Sequence, residues 1–379
     1  MAIPFNKPFL TGKETEYIRD AVLSGKISGD GVFTKKCHDY FEKVYGFKKV
    51  LLTTSCTDAL EMAAILCDIK PGDEVIAPSF TFVSTVNAFV LRGANIIFAD
   101  SGKSLPNIDI DSISQLMTPR TKVIIPMHYA GIACDMDAIL QLANEYHCFV
   151  VEDAAQAIDS FYKDRPLGSI GNLGTFSFHE TKNVIAGEGG LLAINDERLM
   201  GRAEIIREKG TNRSAFFRGE IDKYGWVDIG SSFLPSDIIA AFLYAQLENI
   251  QIIQEQRKQI WDLYYKLLQP LAVEGFIELP MIPSYATNNY HMFYIVCSNL
   301  AERTALIEHL KRSDIMAPFH YLPLHKSPFY CDRHDGRFLL NAEKFSDCLV
   351  RLPFYYELTT ANIEYIVDVI SKFFLKDRT

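Results

Sequence analysis

Lys182 stands in SFHETKN (177–183), just after a strand-like LGTFSF and just before a glycine-rich AGEGG. An ammonium there can be solvated in a loop, or it can act as the free amine and attack an aldehyde. The second role needs a lowered pKa, and the same amine, once released, can move a proton between carbon atoms. Three further segments bear on the choice. In TTSCTDALEMA (53–63) a strand runs into small hydroxyl residues and a helix start, whose N–H groups and positive dipole end favour a phosphate. Cys56 and Thr57 would supply amides there, unless Ser55 or Thr57 simply caps the helix. In FVVEDAAQA (149–157) Asp153 follows an apolar strand, so its carboxylate is expected inside the protein. There it wants a cationic partner, for which a protonated pyridine nitrogen would serve, unless it only caps the next helix. Gln156, expected at the start of that helix, could reach a phenolic oxygen. Ser177 could bind the phosphate, and Phe82 in SFTFVST (79–85) could stack on a flat ring or belong to the core.

All these residues fall at or just past the carboxyl ends of strand-like runs, where parallel sheets gather ligands. KVLLT, PGDEVIAPSF, NIIFAD, TKVIIPMHY, HCFVVEDAA, GTFSF and GGLLAIN are the predicted strands. TGKETEYIRDAVLSG, TDALEMAAILCDI, NAFVLRGA and DMDAILQLANEY are the predicted helices. Thr11 and Glu14 form a capping-box pattern in the first of these, with Gly25 as its stop. The alternation predicts an α/β fold with a large, mixed, mostly parallel sheet covered on both faces. From about residue 240 the texture changes. DIIAAFLYAQLENIQIIQEQRKQIWDLYYKLLQPL predicts one long helix leading into a smaller α+β unit. The expected division is 1–245 for the large domain and 246–379 for the small one. A helix-start phosphate site, an aromatic, a strand-end aspartate and a lysine, in that order, are what pyridoxal phosphate (PLP) requires on such a sheet.

The 379 residues are 48% hydrophobic and 22% charged, enough for a sizeable core. The net charge of -9 argues against nucleic-acid or anionic-membrane binding, although a local basic pocket stays open. The eight cysteines lack C-x-x-C spacing and are expected as reduced thiols. No signal-peptide pattern and no apolar run of ~18 residues is present, so a cytoplasmic protein is expected. The histidines show no metal-ligand spacing, so no metal is expected. No G-x-G-x-x-G follows the first strand, which speaks against a dinucleotide binder.

PGDEVIAPSFTFVSTVNA, VVEDAAQA, GTFSFHETKN, GEGG and FHYLPLH together resemble the DegT/DnrJ/EryC/StrS sugar aminotransferases, a fold-type I PLP family. The likeness runs from PFNKPFLTGKETEYI to RLPFYYELT. It implies that Lys182 carries the cofactor aldehyde, Asp153 pairs with the pyridine nitrogen, and Gln156 lies against the phenolic edge. It further implies Phe82 on the ring, and Cys56, Thr57 and Ser177 on the phosphate. A homodimer is implied, each active site completed by the partner. Many members carry G-x-N-x-R/K, whose Asn reaches the phosphate across the dimer. Here DIGSSFLPSD puts Ser232 at the Asn position and Leu234 at the basic one, leaving a hydroxyl donor. Dehydratases of the family have histidine in place of the lysine, so Lys182 favours transamination. SGKISGDGVFTKKC, LLTTSCTDALEMAA, PMHYAGIACDMD and EIIREKGTNRSAFFRG narrow the resemblance further. They imply transfer from L-glutamate to C4 of a dTDP-4-keto-6-deoxyhexose, giving dTDP-4-amino-4,6-dideoxygalactose for a surface polysaccharide. Transfer to C3, transfer to C4 with the opposite configuration, or a PLP-binding regulator without turnover are the alternatives. Lys209, Arg213 and Arg218, in a polar loop, are candidates for the sugar diphosphate. His320, Tyr321 and His325 are candidates for the pocket wall.

Overall fold

Apolar runs such as VLLT and EVIAP are buried at every position. A strand buried on both faces has to lie inside a covered sheet. The computed structural model describes residues 2–375. Its strands are β1 (Val50–Thr53), β2 (Glu74–Pro78), β3 (Asn95–Ala99), β4 (Thr121–Ile124), β5 (Phe149–Asp153), the small hairpin β6 (Phe161–Tyr162) and β7 (Arg165–Pro166), β8 (Leu173–Ser177), β9 (Gly190–Ile194), β10 (Tyr294–Val296) and β11 (Leu349–Arg351). Seven of them form one sheet in the order β1-β9-β8-β5-β4-β2-β3. The pairs from β3 through β2, β4 and β5 to β8 are parallel, and β9 runs antiparallel between β8 and β1. The expected fold-type I α/β architecture is present.

Successive residues alternate between two cores. Leu51, Val75, Ala77 and Val151 face one, and Val50, Leu52, Ile76 and Val150 face the other. The first is covered by α3 (Cys56–Leu66), α4 (Ser84–Val90) and α7 (Glu197–Arg207). The second is covered by α1 (Glu14–Leu23), α2 (Val32–Tyr45), α5 (Ile110–Leu116), α6 (Met136–Tyr146) and α9 (Asp237–Leu247). A third core joins α10 (Ile250–Val273), α11 (Leu300–Arg312) and α13 (Thr360–Leu375) to β10 and β11. The chain start belongs to it: Ile3 N–H donates to Asp314 O at 2.8 Å and Phe354 N–H donates to Phe5 O at 3.0 Å. That holds Phe5 and Asn6 over the sheet. Between α11 and α13, α12 (Leu340–Cys348) packs Phe345 against the first core.

Several expectations change. The predicted long helix is two helices, because Asn249 leaves helical geometry (φ -114, ψ 13) and its side chain donates to Ala245 O at 2.9 Å. No helix follows Asp153. Residues 154–160 form turns closed by Ala157 N–H to Ala154 O and Ser160 N–H to Ala157 O, so Asp153 caps no helix and Gln156 sits in a turn. The polar segment after Lys209 contains a short helix, α8 (Arg213–Phe217). At α1 only half of the capping box forms. Glu14 accepts from Thr11 N–H at 2.7 Å, but Lys13 is the cap and Thr11 does not return the bond.

Candidate active site

Cys56, Thr57, Phe82, Asp153, Gln156, Ser177, Lys182, His320 and Tyr321 all line one cavity of about 750 Å³. Sheet order brings them together, since β5 and β8 are neighbours and their carboxyl ends open into it. Ser55 caps α3, its hydroxyl accepting from Asp58 N–H at 3.0 Å, while Ser55 O takes Ala59 N–H at 3.2 Å. Among the described residues nothing accepts from the N–H groups of Cys56 and Thr57. They and the helix dipole are left for an anion. Thr57 Oγ1 itself donates to Ser84 Oγ at 2.9 Å. Gly190 on β9 lies against this turn, and a Cβ there would stand 2.3 Å from the Ser55 carbonyl group.

Asp153 is 4% exposed. Its Oδ2 accepts from Thr85 Oγ1 at 2.6 Å and its Oδ1 from Ala155 N–H at 3.1 Å. Thr81 Oγ1 lies 2.7 Å from Thr85 Oγ1. Among the described residues no cation stands within ion-pair distance of this buried carboxylate. Gln156 Oε1 accepts from Ala130 N–H at 2.7 Å, which turns its NH2 toward Tyr321 OH at 3.0 Å and leaves one hydrogen over. Phe82 is 55% exposed at the cavity edge, offering a ring face.

The loop after β8 is closed, not loose. Phe178 N–H donates to Gly189 O, Ala186 N–H to Phe178 O, and Lys182 N–H to His179 O, at 2.8, 2.7 and 2.9 Å. Asn183 anchors its far side, donating to Gln254 Oε1 and Asn289 O and accepting from His291 Nδ1. Gly187 (φ +77) supplies the left-handed turn. Burial lowers the Lys182 amine below the usual lysine range, and Arg351 adds to this, while Cys56 and Asp153 oppose it. Burial likewise drives His320 and His291 well below the usual histidine range, so both rings are neutral. A carboxylate and an amine therefore face one cavity, neither held by an ion pair.

Other expected residues lie elsewhere in the chain's own fold. His325 is buried with both ring nitrogens engaged, by Ser79 Oγ at 2.7 Å and Glu343 Oε1 at 3.2 Å. Arg218 pairs with Glu204 and Glu220, and Arg213 stands 4.0 Å from Glu208. Lys209 and Ser232 are exposed, and none of these lines the cavity. Thr85, His291 and Arg351 line it without having been singled out by sequence. Thr85 lay in view, one helical turn from Thr81, but its bond to Asp153 spans 68 residues.

The groups present fit PLP: unclaimed amides at a helix start, a buried carboxylate, an aromatic face and a desolvated amine. The aminotransferase family model described as DegT/DnrJ/EryC1/StrS matches residues 8–371. GDP-perosamine synthase of Escherichia coli O157:H7 is 31% identical, covering 98% of each chain. The spore coat polysaccharide biosynthesis protein SpsC of Bacillus subtilis is 30% identical, covering 97% of this chain and 96% of the relative. Spr1654 of Streptococcus pneumoniae, assigned as a sugar aminotransferase and solved in its PLP form, superposes with a TM-score of 0.90 at 26% identity over 99% of both chains. With family match, relatives and cavity in agreement, the chain belongs to the DegT/DnrJ/EryC1/StrS aminotransferase family and is a PLP-dependent sugar aminotransferase.

Proposed function

We propose that this enzyme transfers the amino group of L-glutamate to C4 of a dTDP-4-keto-6-deoxyhexose, giving dTDP-4-amino-4,6-dideoxygalactose for surface polysaccharide synthesis in the cytoplasm. The observation that carries the chemistry is that Asp153 and Lys182, neither held in an ion pair, line one cavity. The choice of C4 and of dTDP is supported by the sequence segments quoted for it. When bound, PLP supplies an aldehyde for the amine and a sink for the electrons of the donor's α-carbon.

The chain's own groups then divide the work. Lys182 would hold the cofactor's aldehyde. As the free amine, its Nζ, whose charged form burial disfavours, would be placed to move the proton at the donor's α-carbon. Asp153, aimed by Thr85, keeps the ring nitrogen protonated. The amides of Cys56 and Thr57, with Ser177, would hold the phosphate, Phe82 would cover the ring, and Gln156 would sit against its phenolic edge. The rings of His320 and Tyr321, 3.6 Å apart between centroids and tilted by 30°, would form the wall toward the sugar.

We assign residues 1–245 to a PLP-binding domain and 246–379 to a small domain, supported by the helix break at Asn249 and the third core. We also propose a homodimer. Support comes from exposed Phe82, Leu91, Phe217 and Trp226, the last 83% exposed. Ser232, Lys209, Arg213 and Arg218, outside their own cavity, would serve the partner's. A second reading concerns the base: the Escherichia coli relative is named for a GDP sugar.

The test follows the visible absorbance of the PLP-loaded protein. L-glutamate should bleach the band and dTDP-4-keto-6-deoxyglucose should restore it, with NMR of the product giving C4 and the galactose configuration. Restoration only by the GDP-linked keto sugar would favour the second reading. A Lys182→Ala protein with normal turnover would sink the mechanism.

A further inference from the structure

Asn183 follows Lys182 in the chain and is buried. Its Nδ2 donates to Asn289 O at 2.7 Å and to Gln254 Oε1 at 2.8 Å, and its Oδ1 accepts from His291 Nδ1 at 2.8 Å. A backbone carbonyl can only accept, so Asn289 O fixes which way the Asn183 amide points. The other partners follow from that. Gln254 must turn Oε1 to Asn183 and Nε2 to Asp159 Oδ2, at 3.2 Å, and His291 must carry its hydrogen on Nδ1. Asn289 is also buried, and it extends the bonds to another segment. Its Nδ2 donates to Gln156 O and Ile158 O, both at 2.8 Å, and its Oδ1 accepts from His291 N–H at 3.1 Å. Gly131 makes room for it, since a Cβ there would stand 2.0 Å from Asn289 Oδ1. Both hydrogens of each amide are therefore bonded. The bonds that join loop 178–187 to turn 154–160 span 106 and 133 residues.

Lys182 stands on that loop and Gln156 on that turn. The aldehyde and the phenolic oxygen of the cofactor are neighbouring ring substituents, so the two protein groups that serve them must keep their spacing to about 0.5 Å. Resting on the roles of Lys182 and Gln156 above, we propose that Asn183 and Asn289 are positioning residues that lock the two segments into one unit and hold the amine in register with the amide. Neither lines the cavity, so each acts through its neighbours. Apolar packing would also hold the loop, but a filled hydrogen-bond network specifies one arrangement of it.

The test compares wild type with Asn183→Ala, Asn183→Asp, Asn289→Ala and the double alanine variant. Thr34→Val is the control, because it removes a buried hydrogen bond in α2, Oγ1 to Asp237 Oδ1 at 2.8 Å. Hydrogen exchange of the PLP-free proteins is read first. Asn183→Ala should quicken exchange by about tenfold or more in both 178–187 and 154–160. Thr34→Val should lower the melting temperature and leave both segments unchanged. In PLP-loaded protein, Asn183→Ala should slow the L-glutamate half-reaction at saturation, per bound cofactor, by about 10- to 100-fold, the range for a misplacement of up to about 1 Å. KM should stay within about threefold. Asn183→Asp keeps the shape but turns an acceptor toward Asn289 O and Gln254 Oε1, and should be at least as slow. The double variant should be no slower than the worse single one, because both break one unit. Asn183→Ser, with one donor and one acceptor, replaces the alanine variant if that protein does not fold. The proposal is overturned if exchange quickens in only one segment, if the two effects multiply, or if the rate loss vanishes once scaled to bound PLP. A Lys182→Ala protein with the wild-type half-reaction would instead overturn the reading of Lys182 on which the proposal rests.

Discussion

At the residue scale the site depends on keeping a carboxylate and an amine without ion-pair partners of their own until the ligand arrives. Lys182 reacts as the neutral amine, so its reaction with PLP should rise with pH and level off, with a midpoint below the ordinary 10.5 because burial and Arg351 disfavour the charged form. Replacing Arg351 by Gln removes a like charge, raises the amine's pKa and should move the midpoint upward. Stopped-flow loading of apoprotein across pH measures both. An unchanged midpoint in the variant would mean that burial alone tunes Lys182. Thr85 makes a second case. Thr85→Val keeps the shape but leaves Asp153 Oδ2 without its donor, at a cost of about 1–3 kcal/mol. The expected result is about tenfold weaker PLP binding, from a loss near 1.4 kcal/mol, in a protein whose circular dichroism is unchanged.

At the element scale, strand ends place the chemistry and two glycines allow the strands to do so. Gly190 lets β9 pass under the start of α3, where a Cβ would be 2.3 Å from the Ser55 carbonyl group. Gly187 has nothing within 4 Å of an added Cβ, but its φ of +77 is strained for any other residue. Gly190→Ala should therefore displace the amides of Cys56 and Thr57, costing about 1–3 kcal/mol of stability and weakening PLP binding as well. Gly187→Ala should cost about 1–2 kcal/mol of stability with a smaller change in PLP affinity. Calorimetry and PLP titration of the two variants separate these outcomes. Equal PLP affinities would show that the phosphate does not depend on the α3 start.

At the scale of the whole molecule, one chain supplies a cavity wall but leaves its candidate diphosphate residues outside it. The proposed dimer accounts for that gap and for the exposed apolar side chains at Leu91, Phe217 and Trp226. Sedimentation velocity should give twice the mass of the 42.9 kDa chain, and Trp226→Asp should shift it toward monomer, with weakened sugar binding. A monomer with full activity would remove the dimer and the role of Ser232 together.

The sequence by itself determined the seven strands of the main sheet, helices α1, α3, α4 and α6 and the residues at the strand ends, because those depend on local patterns. Apolar runs, caps and glycine positions are written in neighbouring residues. It placed Asp153, Lys182 and the α3 start correctly at one edge of a mostly parallel sheet. Only the tertiary structure decided how those ends are aimed. Thr85 reaches Asp153 across 68 residues, and Asn183 meets His291 across 108. The turn after Asp153 and the break at Asn249 also escaped the pattern, since QLENI and DAAQA keep helical spacing while the hydrogen bonds that form there close turns instead. Arg351 shows the same limit most plainly. In the sequence it is one arginine before LPFYY, and its place beside Lys182 is visible only when residues 5, 182, 319 and 351 line one cavity.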